Sequence, residues 1–241
     1  MGWVDGPVMG FDTETTGVDV GTDRIVTAAL VHREGTTTTV TSWLIDPGVE
    51  IPEAAAAIHG ITTDHARRHG RPPRGALDQI AGMLAGALLR GEPVVAFNAS
   101  FDLSLLDAEL RRHDLPTLAD RIARDVRVVL DPLVLDRALD RYRRGKRRLG
   151  DLCAHYEVEQ EDRLHTADVD VRATLDVLGA LARCFPELAE TDLDVLHERQ
   201  VAAHRRWAAG YNLWRAEQGL PGPGAEGSWP MRVLEDVLVG A

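Results

Sequence analysis

The stretch Val8-Met9-Gly10-Phe11-Asp12-Thr13-Glu14-Thr15-Thr16-Gly17 constrains this chain more than any other. An apolar run leads into two acids spaced two apart, and Thr-Thr-Gly closes the stretch as a turn. Side chains alternate faces along a strand, so Asp12 and Glu14 point the same way, roughly 6–7 Å apart. Two carboxylates on one face repel unless something positive lies between them, and hard divalent cations favour such oxygen ligands. The plainer alternative is an acidic strand end facing solvent. A lone Asp-X-Glu does not choose between the two, so the rest of the chain has to.

At 241 residues, 44% hydrophobic and 27% charged, the chain can bury a large core and reads as a globular domain plus an appendage. No apolar run reaches the roughly 18–20 residues of a membrane helix. The N-terminus has no basic and apolar secretory signal, so the expected location is cytoplasmic, with no membrane partner. Cys153 and Cys184 lie far apart with no zinc-type ligand set around them, as reduced thiols would. The net charge of −11 argues against coating nucleic acid through bulk charge. It leaves room for an enzyme that reaches phosphates through bound metal ions. The charges are uneven, however. Arg137, Arg141, Arg143, Arg144, Lys146, Arg147 and Arg148 form a basic run. A solvated loop is the simpler reading of that run, and phosphate contact by Arg143, Arg144, Arg147 and Arg148 is the functional one.

Arg24 to Arg33 and Thr36 to Ile45 are rich in β-branched residues around Glu34-Gly35, which predicts a hairpin and, with the opening strand, an antiparallel meander. A short helix over Pro52 to Ile58 and a longer one over Pro73 to Arg90 follow. Pro93 to Phe97 reads as a buried strand, Ser100 to His113 as a helix, and Val126 to Leu130 as another strand, with Asp131-Pro132 opening the next helix. Strand–helix–strand after a meander is an α/β signature, a mixed sheet covered by helices. Gly150 to Tyr156 and His165 to about Cys184 read as helices, and Pro186 marks a break. Thr191 to Gln218 is helical but polar, with Trp207, Tyr211 and Trp214 as a stripe more suited to docking on the main domain than to stacking bases.

Three further motifs join the opening acids. Asn98-Ala99-Ser100-Phe101-Asp102 places Asp102 just inside a helix, where an acid also complements the helix dipole. His165-Thr166-Ala167-Asp168-Val169-Asp170 opens another helix. Ile58-His59-Gly60-Ile61-Thr62 is a turn whose backbone and apolar side chains could hold a nucleotide end. Together, FDTETTG (Phe11 to Gly17), IHGIT (Ile58 to Thr62), NASFD (Asn98 to Asp102) and HTADVD (His165 to Asp170) resemble the DnaQ-like 3′→5′ exonucleases of the DEDDh type. The motifs span Val8 to about Cys184 in the family's order.

The resemblance implies an α/β, ribonuclease H-like fold: a five-stranded mixed sheet flanked by helices over residues 1–186. Residues 187–241 would form a C-terminal helical extension and tail. It implies two divalent cations, Mg²⁺ or Mn²⁺, held by Asp12, Glu14, Asp102 and Asp170, with His165 as general base. Asp168 competes for the last acid, and the pattern H-x-A-x-x-D selects Asp170. Substrate contacts fall to Thr13, Thr15, Ile58, His59, Asn98 and Phe101. The implied reaction is hydrolysis at single-stranded 3′ ends to nucleoside 5′-monophosphates, with DNA preferred over RNA. The family often carries His where this chain has Phe97, which blurs substrate class more than catalysis. Beyond a nucleic-acid 3′ end, the expected partners are a DNA polymerase or a second copy, met through the extension. The rival reading is a non-catalytic nucleic-acid-binding or polymerase-docking module on the same fold.

Overall fold

The computed structural model describes residues 3–159 and 166–233. Three strands open the chain as an antiparallel meander: β1 (Val8–Thr15), β2 (Ile25–Glu34) and β3 (Thr37–Leu44). Gly35 turns the β2–β3 hairpin at a φ of 55°, which an L side chain resists. Two parallel strands complete the sheet on the other side of β1, β4 (Val94–Val95) and β5 (Val129–Leu130), giving the order β3-β2-β1-β4-β5. The five-stranded mixed sheet expected from the motifs is therefore present, with β1 at its centre.

Between β3 and β4 lie α1 (Glu53–His59), α2 (Thr63–His69) and α3 (Pro73–Leu89). Helices α4 (Ala99–Arg112) and α5 (Leu118–Ile122) link β4 to β5. After β5 come α6 (Pro132–Leu139), α7 (Leu149–His155), α8 (Ala167–Cys184), α9 (Pro186–Glu190) and α10 (Leu193–Glu217). Three of these were not read from the sequence. Thr62 caps α2 by accepting from the His65 amide, and a reciprocal Thr117–Asp120 box starts α5. Pro186, expected as a break, is the first residue of α9. The fifth strand is also shorter than the expected Val126 to Leu130. Val128 sits at a φ of 59°, outside the extended region, so only Val129 and Leu130 pair with β4.

The alternation of β1 divides the core into two layers. Met9 and Phe11 pack with Leu77, Leu84 and Leu106 on the side of α3 and α4. Val8 faces the other way, into the cluster that holds Val171 and Leu175 of α8. Gly10 shares that second face, and a Cβ there would lie 2.3 Å from Val171 Cγ1. The missing side chain thus lets α8 ride directly on the central strand.

Helix α10 packs on α6 and β5. Gln200 donates from Nε2 to the Val129 carbonyl at 2.9 Å, and its Oε1 accepts from the Asp131 amide at 2.8 Å. One side-chain amide thereby treats the open edge of β5 as a neighbouring peptide would, in a place where bare edge groups invite aberrant pairing. The aromatic stripe is divided. Trp207 is half-buried beneath the Arg137 guanidinium, 3.7 Å from the ring centroid, whereas Tyr211 and Trp214 are 36% and 49% exposed. Docking therefore describes Trp207 alone.

The basic run departs from both of its sequence readings. Arg143 and Arg147 close on Asp136, whose carboxylate is buried and also accepts from the Tyr156 hydroxyl at 2.8 Å. Arg144 and Arg148 remain exposed. Two of the four proposed phosphate contacts are thus committed to neutralising a buried acid, because an unpaired charge in that position is strongly destabilising.

Gly10→Ala should lower unfolding free energy by about 1–3 kcal/mol, as over-packing at a rigid β-branched neighbour does. Urea unfolding checks this, and an unchanged midpoint would mean that α8 can lift off β1 freely.

Candidate active site

The parity that places Gly10 under α8 also places Asp12 and Glu14 there, at the end of β1. Asp170 arrives from the first turn of α8, next to Val171. Carboxylate oxygens of Asp12, Glu14 and Asp170 all lie within 4.8 Å of one another. Asp168, the competitor for the last acid, instead lines a neighbouring cavity. Asp102 comes from the opposite layer, in the first turn of α4. It is buried, and its Oδ1 accepts from the Thr13 amide at 3.1 Å and the Thr13 hydroxyl at 2.6 Å. Thr13 is the odd-parity residue between the two acids, so it stitches α4 to the strand from the other face. His165 lies outside the described residues.

The charges here are mutually unfavourable. Burial raises the Asp12 pKa well above its ordinary value, and Asp102, Asp170 and Glu14 add to the effect. Burial, then Asp170 and Asp102, lifts Glu14 from 4.5 to about 7. Asp102 also rises to about 7 through burial, against the pull of the Thr13 hydrogen bonds. Among the described residues, neither Asp12 nor Glu14 forms an ion pair with a basic side chain. Hard oxygen donors gathered this closely, with no basic partner on Asp12 or Glu14, fit a divalent metal ion.

A buried acid holds the frame behind the cluster. Asp131 accepts at Oδ1 from the Asn98 amide at 3.1 Å and the Leu133 amide at 2.9 Å, and at Oδ2 from the Ala99 amide at 2.9 Å. Asn98 adopts a left-handed conformation, φ 60° and ψ 44°, tolerable for Asn, which turns the chain sharply from β4 into α4. The start of α4, and with it Asp102, is fixed by this anchor. Sequence reading saw Asp131-Pro132 only as a helix opening, because its contacts come from residues 32 and 33 positions away.

Beside the acids lies a cavity of about 220 Å³, walled by Glu14, Ala28, Leu44, His59, Ile61 and Thr166 among others. Its wall from β2 and β3 carried no motif and was not singled out. His59 is nearly buried, its Nδ1 accepts from the Ile61 amide at 3.1 Å, and burial lowers its pKa. Ile58 is exposed, and its neighbour Ile61 forms the wall instead. Thr15 donates its hydroxyl to the Gly17 carbonyl at 2.6 Å, shaping the turn after β1. Asn98 is exposed, and the Phe101 ring lies 5.9 Å from the Arg232 guanidinium.

An exonuclease family model, RNase_T, matches residues 9–178. The chain belongs to this exonuclease family. The PolC-type DNA polymerase III of Streptococcus thermophilus LMD-9 is 33% identical over 195 residues, covering 80% of this chain and 12% of that protein. The Streptococcus mutans counterpart is 31% identical over 166 residues, covering 68% and 10%. The chain thus spans about a tenth of the length of these relatives. Among solved structures, exonuclease I from Methylocaldum szegediense has the same fold at a TM-score of 0.63 and 22% identity, over 83% of this chain and 43% of that one. E. coli exonuclease I in complex with a dT13 oligonucleotide superposes at 0.63 and 19% identity, over 77% and 43%. Among the described residues, no helix of this exonuclease-family chain is long and apolar enough to cross a membrane.

Glu14 binds its proton more tightly folded than unfolded. Its contribution is therefore fully present below its ordinary 4.5 and lost as pH rises through about 7. In EDTA, Glu14→Gln should become progressively more stable than the parent across that window and stay level above it. Urea unfolding against pH reads the difference. A gap that does not change with pH would mean that Glu14 is not strained by its neighbours.

Proposed function

We propose that this chain is a metal-dependent 3′→5′ exonuclease that acts on single-stranded DNA ends and releases nucleoside 5′-monophosphates. The observation that carries the reading is the convergence of Asp12, Glu14 and Asp170, with Asp102 behind them, next to a cavity of about 220 Å³. Two divalent cations, Mg²⁺ or Mn²⁺, held by Asp12, Glu14 and Asp170 with Asp102 in support, would supply charge at the phosphoryl oxygens and activate the attacking water.

The chain's own residues supply position and selectivity. The wall of Ala28, Leu44 and Ile61 offers an apolar face to a terminal base, which must be unpaired to enter so narrow a space. Glu14 borders both the acid cluster and that cavity, so a base lodged there brings its phosphate toward the carboxylates. The buried Asp131 keeps Asp102 in place as substrate arrives. His165 is assigned the general-base role on its place in the fourth motif, five residues before Asp170. A free imidazole titrates near pH ~6.5, so it can take a proton at neutral pH without unusual tuning. Replicative polymerases among the relatives, and a structural neighbour solved with an oligothymidylate, favour DNA over RNA as the substrate. They also favour a replication or repair setting.

Asp12→Ala should reduce cleavage by orders of magnitude while the protein stays folded. EDTA should abolish the parent's activity, and excess Mg²⁺ should restore it. Labelled DNA and RNA single strands run side by side read all of these together. Near-parent cleavage by Asp12→Ala would sink the metal-centre assignment, and faster RNA hydrolysis would reverse the substrate preference.

His165→Ala should lose about 10²–10⁴-fold in turnover, the usual worth of a general base, while still binding a single strand. The variant should also lose the parent's ionisation from the acid limb of the pH–rate profile. A variant that melts earlier yet cleaves at the parent rate would reduce His165 to a structural role.

A further inference from the structure

A second feature of the molecule suits a nucleic-acid strand and lies apart from the acid cluster. Between α6 and α10 runs a groove of about 720 Å³. Four arginines line it, Arg137, Arg141, Arg147 and Arg206, and among the described residues no Asp or Glu does. In a chain of net charge −11, that is a local reversal of sign. Arg147 is committed to Asp136. Arg137, Arg141 and Arg206 make no ion pair with a carboxylate among the described residues.

The aromatic stripe forms the groove's other component. The Trp207 and Tyr211 rings are stacked at 5.5 Å and 13°, and Tyr211 and Trp214 continue the ladder at 5.7 Å and 29°. Arg137 closes the inner end over Trp207, while Trp214 leaves the outer end open to solvent. A folded chain gains little by holding two large rings half in water. A ligand with flat faces can extend the stack, and one with regularly spaced negative charges can satisfy the arginines. Single-stranded nucleic acid has both. An acidic peptide matches the arginines but brings no flat groups at the spacing of the ladder.

We propose that the α6–α10 groove is a second binding site for single-stranded nucleic acid, with bases stacking on the Tyr211–Trp214 ladder and phosphates on Arg141 and Arg206. The site rests on the reaction proposed above only in taking a single strand as the ligand. It would hold part of a strand away from the acids, so that affinity does not depend on metal at the reaction centre.

The test is equilibrium binding of a 5′-labelled oligothymidylate of about 20 nucleotides to the whole chain in EDTA, read by fluorescence anisotropy. Without metal the acid cluster repels phosphate and no cleavage interferes. Tyr211→Ala with Trp214→Ala should weaken binding about tenfold or more. Trp214→Phe should retain most of it. Arg141→Ala with Arg206→Ala should flatten the log–log salt dependence by about 1.4, two contacts at roughly 0.7 each. Both pairs are at the surface, and thermal melting verifies that the variants fold. Absence of binding by the parent, or parent-like affinity and salt slope in both pairs, overturns the proposal. So does a Glu-rich peptide that needs these side chains while oligonucleotide affinity stays unchanged, since that assigns the groove to a protein partner. If the parent binds as expected but cleaves nothing with Mg²⁺, the proposed reaction fails and the groove stands.

Discussion

Repulsion among Asp12, Glu14, Asp102 and Asp170 governs what the rest of the molecule has to do. Asp102 and Asp170 raise the proton affinity of both Asp12 and Glu14, Glu14 adds to that of Asp12, and burial, the largest cause at Asp12, Glu14 and Asp102, compounds it. Left to itself such a cluster would spread apart or stay protonated. Here it is held together by structure on both sides of the sheet: α8 laid against Gly10, and α4 tied to β1 through Thr13 and to β5 through Asp131. The fold thus keeps in place a charge arrangement that is unfavourable until a cation joins it.

The anchoring extends into the last long helix. Gln200 of α10 holds both the Val129 carbonyl and the Asp131 amide, and Asp131 in turn holds the start of α4. A helix outside all four motifs is therefore connected, through Gln200, Asp131 and the start of α4, to the element that carries Asp102. That continuity is physical contact, and it gives α10 a share in positioning the site besides its part in the groove.

Much of this was legible in the sequence, for definable reasons. Alternation in β1 was enough to put Asp12 and Glu14 on one face, and the pattern H-x-A-x-x-D of the fourth motif pointed to Asp170 rather than Asp168. The meander was plain because β-branched runs flank a glycine turn. Short-range signals failed where tertiary contacts decide. The strands β4 and β5 were read from their short apolar runs, but their bounds were not, since only two residues of each pair in the sheet. Arg143 and Arg147 looked like free positive charge because their partner, Asp136, is up to eleven residues earlier and buried. Asp131 was legible only as a helix opening and Gln200 not at all, since the partners by which they anchor the frame lie 32 to 71 residues away. The apolar wall of β2 and β3 read as ordinary strand, and only the fold shows that it faces the acids.

The strict parity of β1 has a consequence for how the chain folds. A slip of one residue in its pairing would exchange the two faces, sending Asp12 and Glu14 into the layer of Leu77 and Leu106 and bringing Phe11 out under α8. Burying two charged carboxylates among aliphatic side chains costs several kcal/mol per ion, which adds to the packing loss that a slip already carries where a face is buried. The same acids that strain the native sheet therefore proofread its assembly: they make the misaligned sheet worse than the correct one.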